Sequence, residues 1–291
     1  MKADHALRER RTLLRAAAFL SAAAATGCAG ADRTLATGRR ATPPAPPAPP
    51  VPPASPVAGA QAARRPETSA YRLRPLTGYG PPGARRAKPP VRRRPILRLP
   101  ARPRTMALTF DDGPDPRYTP QVLRVLREHD ILATFFVCGQ MAVDHKGLLR
   151  EMADEGHVIG NHTWTHPQLL QTSRADARAE MERTSEVIED ATGTPPEWFR
   201  APYGAWNRAI FELGAHMNME PMGWTVDSLD WRTPGTSIVV ERVLKGAGPG
   251  VVVLAHDAGG DRTQTVRALR RYLPRLIDKG YHFTQPRRQD F

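Results

Sequence analysis

Cysteine is scarce, with only Cys28 and Cys138 in a chain of 291 residues. No disulfide framework can hold such a chain, so its folded part must rest on an apolar core. Cys138 follows Phe135-Phe136-Val137 in a strand-like run, where a buried, inert thiol is expected. Acid is nearly missing from the first third: residues 1–104 carry 4 Asp+Glu against 21 Lys+Arg, and 18 of the 30 prolines, whereas residues 105–291 carry 25 Asp+Glu against 21 Lys+Arg. The net charge of +13 is therefore an excess of 17 in the first stretch and a deficit of 4 in the second. A nucleic-acid binder would place its basic residues on the folded face, so that class ranks low. The apolar segment Ala16–Ala25 is too short to cross a bilayer as a mature helix.

That segment has the form of an export signal, because Arg8, Arg10, Arg11 and Arg15 precede it. Arg10-Arg11-Thr12-Leu13-Leu14 resembles a twin-arginine signal, and Ala25-Thr26-Gly27-Cys28 resembles a lipobox, departing from it at Ala25 where Leu is usual. A plain secretory signal cut near Ala29, and general rather than twin-arginine export, stay open. Residues 1–28 are thus expected to be the signal. Residues 29–104 are expected to be a disordered Pro/Arg-rich tether, since a polyproline spacer after Ala41-Thr42 and Arg-rich, Pro-broken sequence cannot bury a core. The basic stretch from Arg85 to Arg104 is a candidate contact for anionic wall polymer or lipid, with a solvated linker as the alternative. The expected location is outside the cell, either on the membrane through a lipid on Cys28 or secreted.

From Thr105 onward, apolar runs of strand length alternate with helix-like segments, which argues for βα units and a parallel sheet. Expected strands are 106–110, 133–137, 157–160, 198–199, 221–226, 251–254 and 281–283, seven in all. Expected helices are 120–128 with Thr119 as N-cap, 143–155, 173–192 between a Ser cap and a Gly193 stop, 207–216 capped by Asn207, 237–245 and 264–278. Such folds gather their active sites at the C-terminal strand ends.

The chemistry-bearing residues lie at those ends. Thr109-Phe110-Asp111-Asp112-Gly113-Pro114 brings two carboxylates to a turn, where like charges raise a pKa or recruit a cation. His162-Thr163-Trp164-Thr165-His166 offers two imidazoles in a loop, with no Glu at the second position as a helical zinc-peptidase motif requires. Arg200-Ala201-Pro202-Tyr203, Asp227-Ser228-Leu229-Asp230-Trp231 and Leu254-Ala255-His256 follow. Each alone has an ordinary reading: a capped turn for the acids, a structural imidazole for His256, core packing for Trp231 and Leu254.

Together and in this order, the five segments resemble the five motifs of the polysaccharide deacetylase family, carbohydrate esterase family 4. These are metal-dependent hydrolases that remove acetyl groups from amino sugars or xylan. The resemblance implies a distorted (β/α)7 barrel over residues 105–291. It assigns Asp112, His162 and His166 to one divalent metal ion, zinc first, with cobalt, nickel or manganese as alternatives, and Asp111 to the general base acting on the nucleophilic water. Arg200 would orient Asp111 and lower its pKa, the Tyr203 N–H would help bind the oxyanion, and Thr163 would brace the His loop. His256 would be the general acid, kept protonated by Asp230, with Trp231 and Leu254 lining the acetyl pocket. Asp227 matches its motif without a separate role. His5, His129, His145, His157, His216 and His282 lie outside the motifs and are expected to be structural or solvent-facing.

The expected function is removal of N-acetyl groups from an N-acetylglucosamine polysaccharide, peptidoglycan or chitin-like. An acetyl xylan O-esterase using the same residues is the alternative within the class, and a non-catalytic wall-binding lipoprotein the alternative outside it. The second would tolerate losses among Asp111, Asp112, His162, His166 and His256, yet all are present.

Overall fold

The structure, a computed structural model, describes residues 88–291. The signal-like segment, Cys28 and the polyproline spacer lie outside the described residues. Strands β1 (Thr105–Asp111), β2 (Thr134–Val137), β3 (Val158–Asn161), β4 (Trp198–Phe199), β5 (Glu220–Pro221), β6 (Val226–Asp227), β7 (Val251–His256) and β8 (His282–Phe283) form one sheet. Its order is β5-β4-β3-β2-β1-β7-β6, every ladder is parallel, and β8 pairs with the first residues of β1. Helices α1 (Thr119–Glu128), α2 (Gly139–Asp144), α3 (Lys146–Asp154), α4 (Arg174–Thr192), α5 (Arg208–His216), α6 (Thr236–Gly246) and α7 (Thr263–Asp278) lie between the strands. This is the expected distorted (β/α)7 barrel. The distortion has a location, because β5 and β6 end the ladder and do not pair with each other.

The two-residue period of β1 separates two cores. Met106, Leu108 and Phe110 join Val122, Leu123 and Leu126 of α1 and Leu269, Tyr272 and Leu273 of α7 in the outer layer. Ala107 packs inward with Phe136, Trp198, Met222 and Val252. Each fully buried Val, Leu, Phe or Met among them contributes about 1.5–3 kcal/mol. Cys138 is buried as expected, and burial pushes its thiol well above the ordinary range.

Several local expectations need correction. Thr119 is already helical and Tyr118 holds the cap position without a side-chain bond; the Thr119 hydroxyl instead accepts from the Asp115 N–H and donates to Asp257. The helix expected over 143–155 is two, divided at His145, whose backbone (φ −131°, ψ 42°) leaves the helical region. The strand expected over 221–226 divides into β5 and β6 on opposite edges of the sheet, so there are eight strands rather than seven. By contrast α4 has its predicted ends: the Ser173 hydroxyl accepts from the Asp176 N–H and Gly193 stops the helix at φ 77°. Asn207 caps α5 by accepting from the Ile210 N–H.

Residues 92–99 also differ from the expected tether, for they pack on the barrel at the edge left by the unpaired strands. The Ile96 N–H donates to the Pro221 carbonyl, Gly223 N–H returns a bond to the Ile96 carbonyl, and Leu99 N–H donates to Gly250. Ile96 and Leu99 are buried, and Arg92 Nε lies 2.5 Å from the buried Glu220 carboxylate. The folded part therefore begins before residue 105. Ile96→Ala and Leu99→Ala in the full chain should each lower stability by about 2–5 kcal/mol. Urea unfolding measures this, and unchanged midpoints would contradict the packing.

Candidate active site

Strand β1 delivers Asp111 inward and then turns, with Asp112 at φ 77°. Two glycines make room for the acids: a Cβ on Gly113 would overlap the Asp257 carboxylate, and one on Gly259 would overlap that of Asp112. Asp111 meets Arg200, whose Nη1 lies 2.6 Å from its Oδ1. Arg200 is fully buried; it also donates to Thr109 Oγ1 at 2.8 Å and to the carbonyls of Met222 and Gly223, with its guanidinium over the Phe136 ring. The expected lowering of the Asp111 pKa by Arg200 is overturned: burial pushes the carboxyl above its ordinary range and outweighs the pull of the guanidinium. An arginine keeps its proton in a protein, so Asp111 has a fixed countercharge and also the elevated basicity that proton abstraction needs.

Asp111 reaches His162 alone, its Oδ2 3.6 Å from Nε2, whereas Asp112 faces both imidazoles. Its Oδ1 lies 3.6 Å from His162 Nε2 and 3.4 Å from His166 Nε2, and is buried with no hydrogen-bond partner among the described residues. Ligand atoms of all three residues fall within 4.8 Å of one another. A tetrahedral cation with bonds of about 2.1 Å keeps its ligand atoms about 3.4 Å apart, close to the two separations between Asp112 and the imidazoles. His162 Nδ1 lies 2.7 Å from the Arg200 carbonyl, which can only accept, so Nδ1 carries the proton and Nε2 keeps a lone pair. Burial, reinforced by His166, lowers the His162 pKa to about 3, which keeps that lone pair available at neutral pH. An orphaned carboxylate oxygen beside a neutral, oriented imidazole is a donor set suited to a divalent cation.

The brace of the His loop is not the one expected. The Thr163 hydroxyl is buried without a partner among the described residues. Asn161 and Glu180 do the holding: Asn161 Oδ1 accepts from the Thr163 N–H at 2.8 Å and its Nδ2 donates to the Met181 carbonyl and Ser185, while Glu180 accepts from the Trp164 and Thr165 N–H groups and the Thr165 hydroxyl. This supports left-handed backbone at Thr163 (φ 68°) and, beyond it, His166 (φ 58°).

Across the mouth, His256 is the register partner of Asp111 on β7. Its Nδ1 lies 2.7 Å from Asp230 Oδ1, while Asp230 Oδ2 accepts from the His256 N–H and the Thr265 hydroxyl. Burial opposes the imidazolium, but the bond and charge of Asp230, with Asp112 and Asp111 beyond it, raise the His256 pKa to about 9. Asp227 now has a part: its carboxylate accepts from the Leu229 N–H and bonds to Trp231, fixing the loop that carries Asp230. Tyr203 is exposed at φ 60° with its ring edge 4.6 Å from His166 between centroids. Leu254 is buried, and Trp231 is 38% exposed.

Two positions adjoin motif residues without having stood out in sequence. Asn161 precedes His162, and Asp257 follows His256. Asp257 is wholly buried against Gly113 and bonded to Thr119, and burial raises its pKa to about 7. Arg262 is a third buried polar group, donating to the carbonyls of Ala258, Gly259 and Asp230.

The model of the polysaccharide deacetylase family matches residues 98–222. A chitooligosaccharide deacetylase of Sinorhizobium fredii is 41% identical over 188 residues, 60% of this chain and 86% of the relative. The chain belongs to the polysaccharide deacetylase family. Among solved structures, a peptidoglycan N-acetylglucosamine deacetylase matches at 35% identity and TM-score 0.63, over 65% of this chain and 89% of the other. A family 4 pseudoenzyme from Bacillus anthracis matches at 29% identity and TM-score 0.61, over 65% and 66%. Polysaccharide deacetylases depend on a divalent metal, and Asp112, His162 and His166 are the residues here that could hold one.

The Asp230–His256 pair yields a pH test. Because the folded pKa of His256 is raised from 6.5 to about 9, the stabilisation by Asp230 is fully present below 6.5 and lost as pH rises through 9. Any step needing the imidazolium fades over that same upper range. Asp230→Asn leaves burial unopposed, so the alkaline limb of kcat/KM should move to lower pH. A limb that stays in place would assign it to another group.

Proposed function

We propose that this chain hydrolyses N-acetyl groups on an N-acetylglucosamine polysaccharide of the cell wall, using one divalent ion, zinc, held by Asp112, His162 and His166. The carrying observation is the division of the acid pair: Asp111 is bound to Arg200 through Oδ1 and reaches His162 alone with Oδ2, while Asp112 Oδ1 reaches both imidazoles. The cation would supply Lewis acidity to the attacking water and to the acetyl carbonyl. Asp111 takes the proton of that water. The Tyr203 N–H, turned by its left-handed backbone, is the chain's own donor to the oxyanion. His256 gives a proton to the leaving nitrogen, which would otherwise depart as an unstable amide anion, and Asp230 keeps that proton available. Trp231 and Leu254 border the acetyl group.

A pseudoenzyme on the same fold makes the non-catalytic reading a specific alternative. The complete set of Asp111, Asp112, Arg200, His162, His166 and His256 in one mouth supports activity. The alternative of an O-acetyl esterase uses the same groups; the strongly protonated His256 favours the amide, whose leaving group needs the proton more.

The export signal, the lipobox-like Cys28 and the Pro-rich stretch support a chain tethered outside the cell membrane, where its own wall glycan is the first polymer met. No helix among the described residues is long and apolar enough to cross a membrane.

Acetate released from purified wall glycan, N-acetylglucosamine oligomers and acetylated xylan under equal conditions tests the substrate class. Release from xylan alone would replace the N-deacetylase reading with the esterase. Asp111→Asn should keep bound metal but lose roughly 10²–10⁴-fold in turnover, whereas His162→Ala should lose the metal itself; metal content per chain separates the two. Cys28→Ala should free the chain from membranes, and continued membrane fractionation would reject acylation as the anchor.

A further inference from the structure

Most of the outer helices balance their charges within reach. Arg127 of α1 meets Glu151 of α3 and Glu155 just beyond it, Lys146 of α3 meets Asp190 of α4, Arg178 meets Glu182 within α4, and Arg208 and Arg174 share Glu212. Helix α7 departs from this pattern. Its buried face is Val266, Ala268, Leu269, Tyr272, Leu273 and Leu276, while Arg267, Arg271 and Arg275 are exposed and Lys279 follows at its C-terminal end. Their four-residue spacing stacks them in one stripe, about 18 Å long at helical rise. None of the four lies within ion-pair distance of a carboxylate among the described residues; the one α7 cation that does is Arg270, set off the stripe and 3.8 Å from Glu128. Like charges at this spacing weakly destabilise a helix, and a polyanion laid along the stripe would relieve that repulsion.

Helix α6 forms the other wall. Lys245 adds a cation, Val240 and Leu244 supply apolar surface, and with Arg271, Arg275 and Lys279 they line a groove of about 480 Å³, in which Glu241 is the single acid. On α7 the groove runs along the C-terminal half, from Arg271 to Lys279. The first turn of α7 sits at the active-site mouth, where Thr265 donates to Asp230, and the stripe extends from there toward Lys279 at the far end.

We propose that the α6–α7 groove is a docking track for a linear phosphate polymer, each guanidinium taking a phosphate by its paired N–H groups. A linear stripe fits a chain lying along it better than a membrane, which would need cations spread over a broad face. The identity of that chain as a polymer borne by the wall rests on the function proposed above; the binding itself does not. A track on the outer face of α7 would hold the enzyme on phosphate-rich wall while the glycan is processed.

The test uses the full chain and fluorescently labelled long-chain polyphosphate, with Arg271→Gln/Arg275→Gln compared against a control, Arg178→Gln/Arg208→Gln, on the paired helices. Glutamine keeps helix propensity, and removing like charges should leave thermal stability unchanged or higher. The stripe variant should bind polyphosphate roughly tenfold more weakly, with a shallower salt dependence, and the control should bind as the parent does. Acetate release from short uncharged N-acetylglucosamine oligomers should be equal in all three. Parental polyphosphate affinity in the stripe variant would overturn the proposal, as would a loss of binding to phosphatidylglycerol vesicles alone. Polyphosphate binding that follows the stripe in a chain with no deacetylase activity would uphold the track and fail only the function above.

Discussion

The buried ion pair of Arg200 and Asp111 is the constraint on which the rest of this site depends. A guanidinium placed inside a barrel must have its donors satisfied, and Arg200 meets that demand with Thr109, Asp111 and the carbonyls of Met222 and Gly223. It thereby joins β1 to the chain leaving β5, at the edge where the barrel does not close. Such a pair adds little net stability, since desolvation offsets attraction, but removing one partner strands the other at about 3–5 kcal/mol. Its value is positional. Of the two adjacent acids, Asp111 has Oδ1 fixed by Arg200 and Oδ2 3.6 Å from His162, whereas Asp112 Oδ1 reaches both imidazoles.

A second charged pair, Asp230 with His256, sits on the neighbouring strand and is tuned the opposite way. One pair presents a carboxylate of raised basicity, the other an imidazolium that persists to about pH 9. An acid and a base kept apart by environment are what hydrolysis of an amide requires. Between them His162 is kept neutral by burial, as a ligand must be. The same low-dielectric interior thus gives three titratable groups three different states.

The motifs were legible because each follows a short apolar strand, and strand ends place side chains at one rim. The β4 and α4 boundaries were legible for similar local reasons, with Ser173 and Gly193 marking the helix ends. What escaped was set by distant contacts. Residues 221–226 read as one apolar run, yet Gly223 packs under Leu97 and Pro95, and the run divides to reach both edges of the sheet. Residues 92–99 read as Pro/Arg-rich linker because their stabilising partners, Glu220, Pro221 and Gly250, lie more than a hundred positions away. Thr119 resembled a cap but serves Asp257. Asn161 and Asp257 adjoin motif residues, and nothing local distinguishes a polar neighbour that braces a loop from one that faces water.

The account stands on the division of the acid pair, and anomalous diffraction from crystals of the zinc-loaded chain tests that most directly. It predicts one ion bonded to Asp112, His162 and His166, with Asp111 still paired to Arg200. An ion bonded to Asp111 in place of Asp112, or seated away from both histidines, would contradict it.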